Sequence, residues 1–180
     1  IGTLRSNIYY HLGLAHYLKG DFTRAIPVYR RELQAAINDD RRVSVAKWYY
    51  MALRRQGRAI EAAQLLRRFS RDMDVIENQA YHRLVLMYKG ELPVDSLMGA
   101  SGGASVQDVT TLYGVANWHL YNGRRDEAER LFRRIIATRQ WGAFGYIAAE
   151  AELARMNGGV ATAGAARDAR PTLAPVWRAP

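Results

Sequence analysis

The sequence has no cysteine, which excludes disulfides, cysteine nucleophiles and thiolate metal sites. Lysine is nearly as scarce. Lys19, Lys47 and Lys89 are the only ones, and every other basic residue is arginine. No apolar run approaches the roughly 18 residues that a membrane-spanning helix needs. Residues 99–105 are glycine- and serine-rich, but they lack the lysine of a phosphate-binding loop and follow no strand. A GxSxG nucleophile elbow is absent. His11, His16, His82 and His119 include no pair at the i, i+4 spacing of a helical zinc site. His16 and His119 each stand four residues before a glycine, so a packing role, as neutral and satisfied core histidines, is expected. Carboxylates gather at Asp39 and Asp40, at Asp72, Asp74 and Glu77, and at Asp126, Glu127 and Glu129, each where a helix should begin. Negative charge there complements the helix dipole, and no acid–base pair emerges. With no catalytic constellation, cofactor cradle or metal set, the expectation is a non-enzymatic protein with no cofactor.

What is present is ordinary for a folded soluble chain: 49% hydrophobic and 24% charged residues over 180 positions. A chain of this length can bury about 70% of its unfolded surface without metals or disulfides. The formal charge is +9, from 26 basic and 17 acidic residues. That balance admits an anionic partner (nucleic acid, acidic protein or membrane surface) beside the plainer reading of a solvated arginine-rich face. The sequence starts at Ile1, so a signal or lipid anchor ahead of it is left open.

An internal period organises the chain. Gly20, Gly57, Gly90, Gly123 and Gly158 are spaced by 37, 33, 33 and 35 residues, and each follows a helical pattern. Five and nine residues past Gly20, Gly57 and Gly123 come Ala25 and Tyr29, Ala62 and Leu66, and Ala128 and Phe132. Past Gly90 the same positions are Asp95 and Gly99, so the packing pair is lost. Apolar stripes at helical spacing include Tyr9, Leu12 and His16 in the first unit and Ala46, Tyr49 and Leu53 in the second. Pro27 sits deep enough in the second helix to predict a kink or a late start there. The spacing predicts repeats over residues 3–37, 41–70 and 109–140, a degenerate one over 75–98 and a capping helix over 141–156. Residues 1–159 would form one solenoid. Residues 160–180 form a Pro- and Ala-rich extended tail, with Leu173, Val176 and Trp177 as its docking anchors.

A helix pair of about 34 residues, with a small residue after the hinge and a large one four later, resembles the tetratricopeptide repeat. Leu12, Gly13, Gly20, Ala25 and Tyr29 carry the resemblance in the first unit, Tyr49, Gly57, Ala62 and Leu66 in the second, and Ala116, Gly123, Ala128 and Phe132 in the fourth. The order of complete, truncated and complete repeats with a cap is similar to bacterial periplasmic tetratricopeptide lipoproteins. That likeness leans the compartment towards periplasm or export rather than cytoplasm. The resemblance implies an all-α solenoid of antiparallel helix pairs, a right-handed superhelix of about 8–9 helices. It also implies binding of a protein or peptide by the concave face of the first helices.

One inward stripe lies ten, six and three residues before each hinge: Tyr10, Leu14 and Tyr17; Lys47, Met51 and Arg54; Tyr113, Asn117 and Leu120. These residues read either as a peptide groove or as packing between repeats. The family's carboxylate clamp is not expected, because tyrosines stand at Tyr10 and Tyr113. Arginine pairs recur ten and eleven residues past three hinges, at Arg30-Arg31, Arg67-Arg68 and Arg133-Arg134. They predict a ladder on the convex side, read as a solvated face tied to nearby acids, with nucleic acid disfavoured. Two functions stand at this stage: an adaptor that captures a protein or peptide, or a self-assembling homo-oligomer, a ring or filament in which the tail docks on a neighbouring protomer.

Overall fold

The computed structural model describes residues 3–98 and 105–161. Among them are nine helices and no strand: α1 Leu4–Leu18, α2 Phe22–Ala35, α3 Asp39–Arg55, α4 Ala59–Leu66, α5 Gln79–Lys89, α6 Val94–Met98, α7 Val106–Tyr121, α8 Arg125–Ala137 and α9 Phe144–Ala161. The all-α solenoid expected from the repeat is the observed class. None of these helices is long and apolar enough to cross a membrane.

Local signals set most boundaries. Thr3, Asp21 and Asn38 accept the backbone N–H three residues on, and Ser105 and Asp108 form a reciprocal capping box at the start of α7. Gly20, Gly57, Gly90 and Gly123 lie at φ +77°, +71°, +87° and +80°, left-handed backbone that glycine alone adopts cheaply. Gly158 departs from this series, because α9 continues through it to Ala161. The late start expected near Pro27 also fails. Asp21 caps α2 at Phe22, and the helix runs on past the proline.

The small-then-large rule is visible as contact. Ala25, Tyr29, Ala62, Leu66, Ala128 and Phe132 are all buried. A Cβ on Gly13 would lie 2.5 Å from the ring of Tyr29, the large residue of its own unit, and one on Gly114 would lie 2.5 Å from Leu84 on α5, so glycine lets α1 and α7 pack closely at these points. In the third unit the missing pair is replaced by the five-residue α6, whose Leu97 is buried. The stripe Tyr9, Leu12 and His16 does not pack as expected. Leu12 is exposed and the other two are half-buried. α1 is the outermost described helix on that side, so nothing described covers its outer face.

Two features turn the stack into a closed body. The loop between α4 and α5 is tied to the start of α3. The Asp40 carboxylate accepts the N–H groups of Ile76, Glu77 and Asn78 at 3.0, 2.9 and 2.7 Å. Then α9 returns against α7 and α8 and reaches α1. Gly145 permits this, since a Cβ there would meet the Val109 carbonyl at 2.8 Å. Glu152, essentially unexposed, receives Arg55 at 2.5 Å and Arg155 at 2.9 Å, and Arg155 also donates to the Leu18 carbonyl at 2.6 Å. Removing one member of such a buried cluster costs about 3–5 kcal/mol, because the others lose their compensation.

Burial raises the Asp40 carboxyl, but the three backbone donors outweigh it and hold the group below its ordinary value. A depressed folded pKa adds stability that is present above the unfolded carboxyl range and is lost as pH falls through the folded value. Asp40→Asn is therefore expected to cost about 1.5–3 kcal/mol in urea unfolding at pH 7. The gap should shrink on acidification, and amides 76–78 should exchange faster. Equal stability at pH 7 would show that the carboxylate does not hold this loop.

Candidate partner-binding surface

The first helices of the units, α1, α3, α5 and α7, turn their inner faces towards one another. Their meeting line is filled rather than open. Tyr10, Leu14, Tyr17, Lys47, Met51, Tyr113 and Asn117 are buried, and Arg54 and Leu120 are half-buried. The Tyr17 and Tyr113 hydroxyls lie 3.1 Å apart, and the Asn117 amide donates to them at 2.9 and 3.3 Å, joining α1 to α7. Trp48 donates to the Tyr10 hydroxyl at 3.0 Å and packs its ring between Tyr17 and Tyr113. Arg54 lies at the other end, over the Tyr121 ring and bonded to Asn122. The inward stripe is thus the core of the closed body. The tail anchors Leu173, Val176 and Trp177 lie outside the described residues.

Lys47 is the unusual member. Its amine is wholly buried with no hydrogen-bond partner, 3.7 Å from the Trp48 ring centroid, 5.0 Å from Tyr113 and 5.3 Å from Tyr81. Burial pushes its pKa well below the ordinary lysine value. Among the described residues, the aromatic faces are what compensates a charge there.

The histidines divide differently from the expected core set. His82 alone is buried, with its Nε2 2.8 Å from the Ser70 carbonyl. His11 is exposed, while His16 and His119 are half-buried near helix ends. Among the described residues no cluster of His, Asp and Glu could hold a metal ion.

The inner face opens at one end, where the N-termini of α3, α5, α7 and α9 converge. Two adjoining recesses of about 350 and 300 Å³ share Glu77, Asn78, Tyr81 and Phe144. The first also reaches Tyr10, Arg41 and Ser44, and the second Gln107 and Thr110. Aromatic faces, amides and hydroxyls therefore line one cleft. Arg41 is already engaged, since it bonds Glu32 at 2.5 Å and the Ser6 carbonyl at 2.7 Å. Exposed apolar side chains belong to this end: Ile37 (64%) and Val106 (51%) line the recesses, and Ile76 (75%) and Trp141 (78%) precede the lining residues Glu77 and Gly142 in the chain. Each comes from a different loop or helix start, and the fold gathers them at the same end.

Of the inward stripe, only Tyr10 lines this cleft. The spacing rule missed Tyr81, Phe144, Asn78 and Thr110. Applied to Gly90, ten before the hinge gives Ala80, and applied to Gly158 it gives Ala148, one turn beyond Phe144. The signal that was available is the intact first helix of the third unit, which brings Tyr81 to the cleft although its partner helix is degenerate.

Replacing the buried amine tests the filled interior. Lys47→Met is expected to stabilise the fold by about 1–3 kcal/mol at neutral pH. Because the folded pKa of Lys47 is lowered, the unfolded chain takes up its proton first as pH falls from the ordinary lysine range. The wild type then loses stability until the folded value is passed. The advantage of the variant should accordingly widen between about pH 11 and pH 7 in thermal or urea unfolding. A variant no more stable than wild type would mean that Lys47 is solvated or paired in solution.

Comparison with known proteins agrees with this geometry. Residues 8–43, spanning α1, α2 and the start of α3, match a tetratricopeptide repeat family model, and so do residues 109–140, spanning most of α7 and α8. No curated protein and no solved structure matches the chain. The hinge glycines and the small–large packing pairs lie inside both matched segments, so these two helix pairs are similar to the tetratricopeptide repeat, a module typical of protein–protein interaction scaffolds.

Proposed function

We propose that this chain is a protein-binding adaptor that receives a segment of a partner protein in the cleft where the N-termini of α3, α5, α7 and α9 meet. The observation that carries the reading is the coincidence of that cleft with the apolar rim of Ile37, Ile76, Val106 and Trp141. Large apolar side chains gathered at one end of a soluble fold mark an interaction site more often than scattered ones do. Tyr10, Tyr81 and Phe144 supply broad apolar contact, while Asn78, Gln107 and Thr110 supply hydrogen bonds to a peptide backbone. The deeper stripe residues Leu14, Tyr17, Lys47, Met51, Tyr113 and Asn117 fill the interior behind the cleft, and with Arg54 and Leu120 at the opposite end they would meet a partner directly only if the closed face opened. Capture of proteins for delivery to one another, as periplasmic tetratricopeptide lipoproteins do, fits this reading.

Panning a random peptide display library against the full chain tests it. Enriched peptides are expected to lose at least about tenfold in affinity against Tyr81→Ala or Phe144→Ala, measured below the lowered melting temperature of each variant and at unchanged helical content. They should bind Ile60→Ala, which lies at the opposite end, as wild type. Enrichment insensitive to Tyr81 and Phe144 would place the binding surface elsewhere.

The outer face of α1 supports a second reading, self-assembly. Leu4, Ile8 and Leu12 follow one another at i, i+4 and i+8 and are all exposed. A tail carrying Leu173, Val176 and Trp177 could cover that stripe on a neighbouring protomer, giving a ring or filament. Deleting residues 165–180 should then reduce the mass in light scattering to that of a monomer. A wild-type chain that is already monomeric at micromolar concentration would rule this reading out.

A further inference from the structure

The arginine pairs on the second helices are not all tied to acids. Arg133 pairs with Glu129 at 2.7 Å and Arg30 approaches Glu61 at 4.0 Å. Among the described residues Arg31, Arg67 and Arg68 have no acidic partner within ion-pairing distance. All three are exposed, on α2 or at the end of α4, on the convex side away from the cleft.

This is also where the convex surface is grooved. α2 and α4 both pack on α3 but their backbones do not meet. Between them lie two recesses of about 450 and 300 Å³ that share Leu33 and Arg68 and so form one trough. Its floor is apolar: Leu33, Leu65 and Met73 are half-buried there, and Phe69 is buried. Gln34 and Gln64 stand on its walls. Gln34 also borders the next recess, which holds Arg31. Three carboxylates reach the trough. Glu61 is held in a two-bond pair by Arg58, and Asp39 by Arg42 and the Asp74 N–H, leaving Asp72 at one end. The unspent charge along the trough is therefore positive, beside an apolar floor.

We propose that the α2–α4 trough is a second docking site, for an acidic protein segment with aliphatic anchors. Aliphatic side chains of the partner seat on Leu33, Leu65 and Met73, and its carboxylates pair with Arg68 and Arg31. An acidic peptide fits better than nucleic acid, because the two aromatic rings that line the trough, Tyr49 and Phe69, are buried and leave no face on which a base would stack, while its half-buried residues Leu33, Leu65 and Met73 are aliphatic. Two separate sites, one at the end of the body and one on its convex side, would let one chain hold two partners together. The trough is independent of the end cleft, sharing no residue with it.

Fluorescence anisotropy on the full chain at about 0.15 M salt tests this. The probe is a labelled acidic peptide of about 14 residues, roughly four helical turns, with leucine at every third or fourth position. Two competitors are a leucine-free peptide of equal charge and a single-stranded oligonucleotide of equal charge. The leucine-bearing peptide is expected to bind most tightly. Arg68→Glu should weaken it at least about tenfold, while Arg133→Glu, with the same change in net charge, should alter it less than about threefold. Tyr81→Ala should leave it unchanged, so that failure of the cleft and failure of the trough are told apart. Equal loss in Arg68→Glu and Arg133→Glu would overturn the proposal in favour of diffuse charge. So would equal binding of the leucine-free peptide, tighter binding of the oligonucleotide, or no binding at all.

Discussion

The contact between α1 and α7, through the Tyr17 and Tyr113 hydroxyls and the Asn117 amide, decides the shape of the inner face. These residues lie 96 and 100 positions apart in the chain, so closing them is costly in loop entropy and needs support. α9 provides it. Its Glu152 and Arg155 bridge to Arg55 on α3 and to the Leu18 carbonyl at the end of α1, and Gly145 lets α9 lie close enough on α7 for those contacts to form. Together with the direct contact of α3 on α7, these bridges join units that a linear solenoid would keep apart.

Closing the inner face has a cost and a consequence. The cost is concentrated at Lys47, whose amine is enclosed by Trp48, Tyr81 and Tyr113 without a hydrogen-bond acceptor. The consequence is that the surface left open lies at the ends and on the outside. At one end the loops and helix starts bring apolar side chains around Tyr81 and Phe144. On the convex side the unpaired arginines flank an aliphatic trough.

The degenerate third unit links both arrangements. A complete repeat after Gly90 would have placed another long second helix beside α4. With only the five-residue α6 there, the long connection between α4 and α5 is anchored instead by Asp40. That connection contributes Ile76 and Glu77 to the end face and Met73 to the trough. One weakened repeat therefore shapes both surfaces.

Much of the architecture is local and was legible from sequence. Hinge glycines, caps and the small–large pairs depend on residues within one helix pair, where period and spacing translate directly into contact. Their agreement with the tetratricopeptide repeat follows from that. The inward stripe was legible as a stripe, but spacing along one helix cannot tell whether the face it points to is open. That depended on α9 and on α1 meeting α7 across the chain. Tyr9, Leu12 and His16 look like a packing stripe by period, and they stay uncovered because α1 is the outermost described helix on that side. Likewise Ile37, Ile76, Val106 and Trp141 share no sequence pattern. Sequence determined the repeats and their helix pairs, because those contacts span a few tens of residues. Tertiary structure decided which surfaces remain for a partner, because only the return of α9 brings residues a hundred positions apart into one wall.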